Sequence, residues 1–519
     1  MTTVVGYDGA MYLAMGRAFA DHGEFWLPFG DPWASPEAPA FSHHYSPLWP
    51  MLLGSSFAAF GGSVLVAKVL SLLTGVGLLA VAYVATRDLY GRSTALAVTA
   101  CLSVYPEFIL DVGRLYSENL TMMLFVATIW AILRSLKDPR FMIAAGLFAG
   151  LAFLSRGALG YFFVLAGVAG LGWRLRYVGL RVFRDKSYLA GIGVFAVSVG
   201  LWSSRNLLRF GFPNWETSVY VSREVSSAFG EPGAYLGQVL LMGLFLTLLL
   251  LAVALAFLPE FLRSLRAIRR EEESGLWLAV VLIPFLAAFI VAALALVENT
   301  GWAPLFWRDR IRYVVYALFP LLLIPLRGIL ILPWKMRGAV VDSVLWRFSR
   351  RRFLAAGVVG GCVVASLLTT GPWLVPLFAA ATVGVFLRPL KPRLLLLVLA
   401  LLLVSAETAT SSTWSAEESA VNFIASQHPG AVVAVEGQHG LFYEVAVYSE
   451  ERGLHLIEVE ALKQADFILT SNESANFPGF HRVAMFQDGA SQGILEGTIA
   501  RILHRPTVAL TNPLFVHAR

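Results

Sequence analysis

Only two cysteines occur in the 519 residues, Cys101 and Cys362, and both lie in apolar runs without metal-ligand spacing. A disulfide framework and a cysteine-based zinc site are thereby excluded. Charge is scarce as well: charged residues make up 14% of the chain against 57% hydrophobic, and the mean hydropathy is +0.68. That balance excludes an ordinary soluble enzyme. Residues 1 to 46 lack the basic start and apolar core of a signal peptide, and the chain has neither a repeat of fixed period nor a low-complexity tract. The net charge of +6 is not the footprint of a nucleic-acid partner, because Lys and Arg come in short clusters between apolar runs, the pattern that orients spans in a bilayer. The composition is that of a polytopic membrane protein, with the lipid bilayer as its first partner.

Taken in order, the stretch from Ser46 to Gly61 is apolar but short and interrupted by proline, which suits a helix lying at the interface. The first span reads from Ser63 to Thr86. Later apolar runs begin near Thr94, Tyr116, Phe141, Ala158, Tyr188, Tyr235, Leu276, Arg312, Phe353, Trp373 and Leu394, giving about twelve spans at roughly 20 residues each. Residues Phe141 to Trp173 read as a tight hairpin of short helices turning at Ser155-Arg156-Gly157. With 87–92 on the cytoplasmic side, alternation puts 134–140, 174–186, 259–275, 334–352 and 388–393 there too, and these six segments hold 23 Lys and Arg. The opposite face, up to residue 312, carries only Arg17, Arg114, Arg156, Arg205, Arg209, Arg223, Arg308, Arg310 and Arg312. The excess obeys the positive-inside rule, so both the N-terminal stretch and the C-terminal tail are expected outside the cytoplasm, at the plasma membrane.

Beyond Ala409 the apolar positions become short and alternating. Ser415 and Glu418 have the spacing of a capping box, and 431–435, 465–469 and 483–486 read as strands. The expected organisation is therefore a first extracytoplasmic loop with interface helices over 1–62, an all-α membrane domain over 63–408, and a small soluble α/β domain over 409–519, about the usual size of one domain.

Ionisable residues gather at span ends on the outer face: Asp8, Asp111, Arg114, Glu118, Arg156, Arg205, Asp309, Arg310 and Arg312. Charge at membrane depth is costly, so such a convergence marks a functional site, whereas any one of these residues alone reads equally well as a solvated loop charge. Outer tryptophans, among them Trp26, Trp33, Trp49, Trp202, Trp215, Trp302 and Trp307, have two readings, an interfacial belt or sugar-stacking platforms, the belt being the commoner.

Tyr7-Asp8-Gly9-Ala10-Met11-Tyr12-Leu13-Ala14-Met15-Gly16-Arg17 resembles the first-loop motif of the C-type membrane glycosyltransferases (GT-C), the group of protein O-mannosyltransferases and lipid A aminoarabinose transferases. In the same order, Tyr45-Ser46-Pro47-Leu48-Trp49-Pro50-Met51-Leu52-Leu53 resembles that family's interface helix and Leu115-Tyr116-Ser117-Glu118-Asn119-Leu120 its serine-glutamate opening of a span. The run Gly146 to Arg156 resembles its short helix ending in arginine, Trp202 to Pro213 its arginine-asparagine exit from the membrane, and Asp309-Arg310-Ile311-Arg312-Tyr313 the start of a late span. Six motifs in order cover residues 7 to about 330, while the tail resembles the family only loosely.

The resemblance implies transfer of a sugar from a polyprenyl-phosphate donor to a glycan, lipid or protein acceptor, on the extracytoplasmic side and with inversion. It matches Asp8 to the catalytic acid. Glu118 is the second candidate catalytic acid, suited to positioning the acceptor or holding a metal, and Tyr12, Tyr45 and Tyr313 are candidates for contact with acceptor or sugar. Arg156, Arg205, Arg310, Arg312 and His44 are candidates for gripping the donor phosphate, since guanidinium binds phosphate in two-point fashion; the bland reading of each arginine is a headgroup contact. Family members commonly carry lysine where His43-His44 stands here. No cofactor is required, though some members use a divalent metal, for which Asp8, His44 and Glu118 are the donors at hand. Gly9 stands where many active members keep a second acid, which leaves a non-catalytic binder of lipid-linked sugar as one alternative. A transporter is the other, but it calls for matching halves, which this chain lacks. Members of the family also place a span ahead of the acidic loop. Only seven residues precede Asp8 here, so the expectation is a start further upstream and an open apolar groove beside the Tyr7–Arg17 helix.

The orientation is open to test. In a chain freed of Cys101 and Cys362, single cysteines at Ser35, Leu180 and Glu450 are expected to label from outside intact cells at 35 and 450 only; external labelling at 180 would overturn the topology.

Overall fold

The computed structural model describes residues 7–25, 45–103, 106–135, 137–157, 171–172, 175, 179–211, 213, 416–436, 445–446, 448–449, 452–458, 463–472, 475–486 and 514–519. The spans expected to begin at Tyr235, Leu276, Arg312, Phe353, Trp373 and Leu394, the second helix of the Phe141–Trp173 hairpin, and the Ser415 cap all lie outside the described residues.

Helix α1 (Tyr7–His22) and α2 (Leu48–Phe60) have 16 and 13 residues, about 24 and 20 Å at 1.5 Å per residue, too short to cross a hydrocarbon core of about 30 Å. They lie alongside each other and run the same way: Asp8 and Tyr12 meet Tyr45 just before α2, and Gly16 meets Leu53, Gly54 and Phe57 further along it. Arg17 then donates from Nε and Nη2 to the Gly62 carbonyl at 3.1 and 3.0 Å. The approach is set by two glycines. A Cβ on Gly54 would stand 2.6 Å from the Gly16 carbonyl oxygen, and one on Gly16 2.8 Å from Leu53 Cβ.

Beyond them come α3 (Val64–Tyr90), α4 (Arg92–Ser103), α5 (Pro106–Arg114), α6 (Glu118–Ser135), α7 (Phe141–Ser155), a 3-10 turn (Gly179–Arg184) and α8 (Lys186–Phe210). Among the described residues, Val64–Leu89 and Lys186–Phe210 are long and apolar enough to cross a membrane. Local chemistry sets their limits. The Ser63 hydroxyl accepts from the Val66 amide at 3.3 Å to open α3, and the Asp185 carboxylate accepts from the amides of Ser187 and Tyr188 at 3.0 and 3.3 Å to open α8. Gly211 closes α8 at φ 78°, the left-handed conformation that glycine adopts at least cost.

Side-chain pairings give the directions. Asp88, near the end of α3, takes hydrogen bonds from Trp130 Nε1 at 3.0 Å and Arg134 Nη1 at 3.1 Å, near the end of α6, so these two helices run parallel. Arg134 lies over Phe141 at the start of α7, whereas Thr121 and Ser155 bond at 2.8 Å at the far end, so α6 and α7 run antiparallel. In α7 and α8, Gly146 faces the Gly191 backbone and Gly150 faces Ser198, which makes this pair parallel and tightly packed. The basic segments at 87–92, 134–140 and 179–186 therefore share one end of the bundle. The starts of α1, α2 and α6 share the other with the ends of α7 and α8.

The expected open groove beside α1 is not found: Ala10, Met11, Tyr12, Leu13 and Met15 are all buried. Four consecutive buried residues sweep the whole circumference of a helix with 3.6 residues per turn, leaving no open apolar side.

Towards the C-terminus, the three segments read as strands are strands within a five-stranded sheet of order β2-β1-β3-β5-β4. The strands are β1 (Val432–Glu436), β2 (His455–Glu458), β3 (Phe467–Thr470), β4 (His481–Phe486) and β5 (Leu514–Ala518). β2, β1 and β3 pair parallel, while β5 runs antiparallel to β3 and β4. Helix α9 (Ala416–Gln427) buries Ala420, Val421 and Ile424 and packs against β4 and β5.

The crossing of α1 and α2 has a direct test. Gly54→Val adds bulk where the backbone of α1 already sits, and overpacking of this kind costs about 1–3 kcal/mol. A lowered Tm of the purified protein in detergent is expected, and an unchanged Tm would mean that the two helices do not meet at these glycines.

Candidate active site

At the end of the bundle where the starts of α1, α2 and α6 meet the end of α7, the structure gathers Asp8, Tyr12, Tyr45, Ser117, Glu118 and Arg156. Asp8 lies in the first turn of α1, where the exposed amides of a helix start favour a carboxylate. It is partly exposed and accepts a hydrogen bond from Tyr45 Oη at 3.1 Å. Tyr12, one turn along α1, meets the Tyr45 ring edge-on with centroids 5.0 Å apart, and its hydroxyl lies 3.2 Å from Ser117 Oγ. Burial pushes the Tyr12 phenol far above its ordinary range. Arg156 pulls the other way, and Asp8 and Glu118 add to the rise, so Tyr12 stays a neutral hydroxyl.

Glu118 opens α6 and Arg156 ends α7. Arg156 Nη1 donates to Glu118 Oε1 at 2.6 Å, with the two side chains 9% and 1% exposed respectively. Neighbouring hydrogen bonds fix this pair from both sides. The Gly157 amide donates to Ser46 Oγ at 2.7 Å, tying the end of α7 to the start of α2, and Thr121 and Ser155 join α6 to α7 one turn below. The chain enters α6 through Leu115, whose φ of 62° is the only positive value at a non-glycine among the described residues. Its carbonyl takes the indole hydrogen of the fully buried Trp49 at 2.9 Å. Trp49 is thus a structural strut, neither a belt residue nor a stacking platform.

Arg205 is held apart from this cluster. It ion-pairs with Glu24 at 3.6 Å, and its guanidinium lies 4.6 Å from the centre of the Trp202 ring, with Phe25 and Phe210 at 5.7 and 5.6 Å. Arg209 grips Glu24 with both terminal nitrogens, at 3.0 and 3.2 Å. Trp202 itself is buried edge-on against Phe25. This second cluster anchors α8 to the chain just beyond α1. His44, Arg310, Arg312 and Tyr313 lie outside the described residues.

Two hydroxyls of the cluster, those of Ser46 and Ser117, are not singled out by sequence reasoning. Both stand inside the motifs, but a serine beside a proline or opening a helix is too ordinary a signal to mark. As for a metal, no group of three His, Cys, Asp or Glu side chains converges among the described residues. Of the proposed metal donors, Glu118 has its Oε1 on Arg156.

The sequence from 44 to 202, which contains most of this site, matches the family of dolichyl-phosphate-mannose-protein mannosyltransferases. No curated protein matches the chain. Two crystal structures of ArnT from Cupriavidus metallidurans share the fold, one in the apo state with a TM-score of 0.57 and one bound to undecaprenyl phosphate with 0.56. Each is 15% identical to this chain, with 100% of this chain and 94% of the other covered. The likeness to the C-type membrane glycosyltransferases is supported by the family match, which covers the motifs beginning at Tyr45, Leu115 and Gly146, and by the shared fold.

Breaking the buried pair is costly because it strands a charge: Glu118→Leu or Arg156→Met alone is expected to cost about 3–5 kcal/mol, and the double variant clearly less than the sum. Thermal unfolding of all three proteins checks this, additive losses being the result that would deny the pairing.

Proposed function

We propose, from a fold shared with the C-type membrane glycosyltransferases, that this protein transfers a sugar from a polyprenyl-phosphate donor to a glycan, lipid or protein acceptor at the extracytoplasmic face of the plasma membrane. The observation that carries the reading is the contrast between the two carboxylates at the head of the bundle. Asp8 is partly exposed and faces the tyrosines, whereas Glu118 is buried and paired with Arg156. A base must reach the proton it removes, within about 2.6–3.2 Å. Partial exposure leaves Asp8 open to such an approach, which supports it as the base over the buried Glu118.

In the proposed reaction Asp8 takes the proton of an acceptor hydroxyl or amine as its heteroatom bonds to the anomeric carbon. The bond from that carbon to the phosphate oxygen breaks, and its electron pair leaves with the polyprenyl phosphate. A single displacement inverts the configuration. The negative charge growing on the leaving phosphate needs fixed cations, for which Arg310, Arg312 and His44 are proposed. Arg156 is proposed to act from its ion pair, as a charge fixed beside the reacting groups. One ArnT structure contains undecaprenyl phosphate, a lipid of the class proposed here as carrier. The unit over 409–519 is proposed to stand on the same side of the membrane as Asp8.

The test is turnover by purified protein in lipid with a panel of radiolabelled polyprenyl-phosphate sugars. Asp8→Asn is expected to fold as the parent does and to lose roughly 10²- to 10⁴-fold in rate, the usual worth of a general base. Near-normal turnover of that variant would overturn the assignment.

A further inference from the structure

We infer that Tyr45 is a positioning residue that aims the Asp8 carboxylate, rather than a contact for sugar or acceptor. The inference rests on the reading of Asp8 as the base and goes beyond it by assigning the group that holds the base in place.

The geometry carries it. Tyr45 is buried, so its ring offers little face for a sugar to stack on, and its hydroxyl already donates to Asp8 Oδ1 at 3.1 Å. Asp8 needs such a partner: it sits in the first turn of a helix, where fraying is least resisted, and is partly exposed. Tyr45 is itself fixed on two sides. The edge of Tyr12 packs against its ring at 5.0 Å, and Tyr12 is bonded to Ser117 at the entrance of α6. On the other side the next residue, Ser46, is tied to Gly157. Through the Tyr45 phenol the carboxylate is referenced to the starts of α2 and α6 and the end of α7. Among the described residues, the charged groups that act on Tyr12 in this relay are Arg156, Asp8 and Glu118, and the Tyr45 hydroxyl donates to Asp8. A hydrogen bond from a neutral hydroxyl to a carboxylate restricts its rotation without consuming its charge, so the group stays able to take a proton. A misplacement of about 1 Å in such a group costs up to about 10²-fold.

The experiment is a double-mutant cycle on purified full-length protein in lipid, with a radiolabelled polyprenyl-phosphate sugar that the parent turns over. Tyr45→Phe keeps the ring and its packing on Tyr12 and removes only the hydroxyl. Its kcat is expected to fall about 10- to 100-fold with KM for donor and acceptor unchanged. In an Asp8→Asn background the same substitution is expected to cost less than about 2-fold, because a residue that acts through Asp8 has nothing left to aim. A raised KM with unchanged kcat would overturn the inference in favour of substrate contact, as would an equal loss in both backgrounds. Unaltered turnover of Tyr45→Phe would overturn it outright, and a lowered Tm with unaltered kcat would reduce Tyr45 to packing. Near-normal activity of Asp8→Asn alone would instead fail the base assignment, so the two failures are told apart.

Discussion

A charge pair shut away from water governs the head of this bundle. Glu118 and Arg156 come from the start of one helix and the end of the next, and neither can be solvated where it stands. Attraction between them must offset a desolvation cost of several kcal/mol per ion, which requires that the two helix ends hold a fixed separation. The hydrogen bonds on either side, Ser46 to Gly157 and Thr121 to Ser155, maintain that separation. Charges of this kind add little net stability but tolerate few alternative arrangements, and a site that needs side chains from four helices depends on that intolerance.

Close packing of backbone complements the pair. Where α1 crosses α2, and again where α7 runs beside α8, glycines let the helices approach until a single added methyl would collide. Helices this near transmit position with little slack, since interiors packed to crystal-like density have few voids to absorb a shift. The depth of Asp8 relative to Arg156 is thereby a property of the scaffold, which suits the small geometric tolerance of the displacement proposed above.

Much of this is legible from residues alone, because the bilayer imposes a simple code. Apolar length marks α3 and α8, basic clusters mark the opposite end of the bundle, and proline with few residues marks α2 as too short to span. The alternating tail yields three of the five strands; β2 and β5 escape because His455–Glu458 and Leu514–Ala518 have no clean alternation between apolar and polar positions. Side-chain partners are not legible. Glu118 and Arg156 read as separate catalytic and phosphate-binding groups, since nothing in a one-dimensional spacing of 38 residues says that two ends of an antiparallel helix pair will meet. Trp49 and Trp202 look like belt residues for the same reason, being aromatic and near an interface, and only their burial reveals them as struts. The groove expected beside α1 is absent because Ala10 to Leu13 and Met15 are buried, an outcome that the apolar run from Ala10 to Met15, which has no polar face, already favoured.

The turn at Leu115 fixes the entrance of α6. A leucine held in the left-handed region costs about 1–2 kcal/mol, and the indole bond from Trp49 returns about 1 kcal/mol of that. The corner is therefore kept by its surroundings rather than by its own preference, and it cannot swing without giving up a buried donor. Ser117 and Glu118 follow directly from it, so one wall of the site is cast before any ligand arrives. Glu118 and its partner Arg156 are thereby held by the fold itself, whatever comes to stand at the head of the bundle.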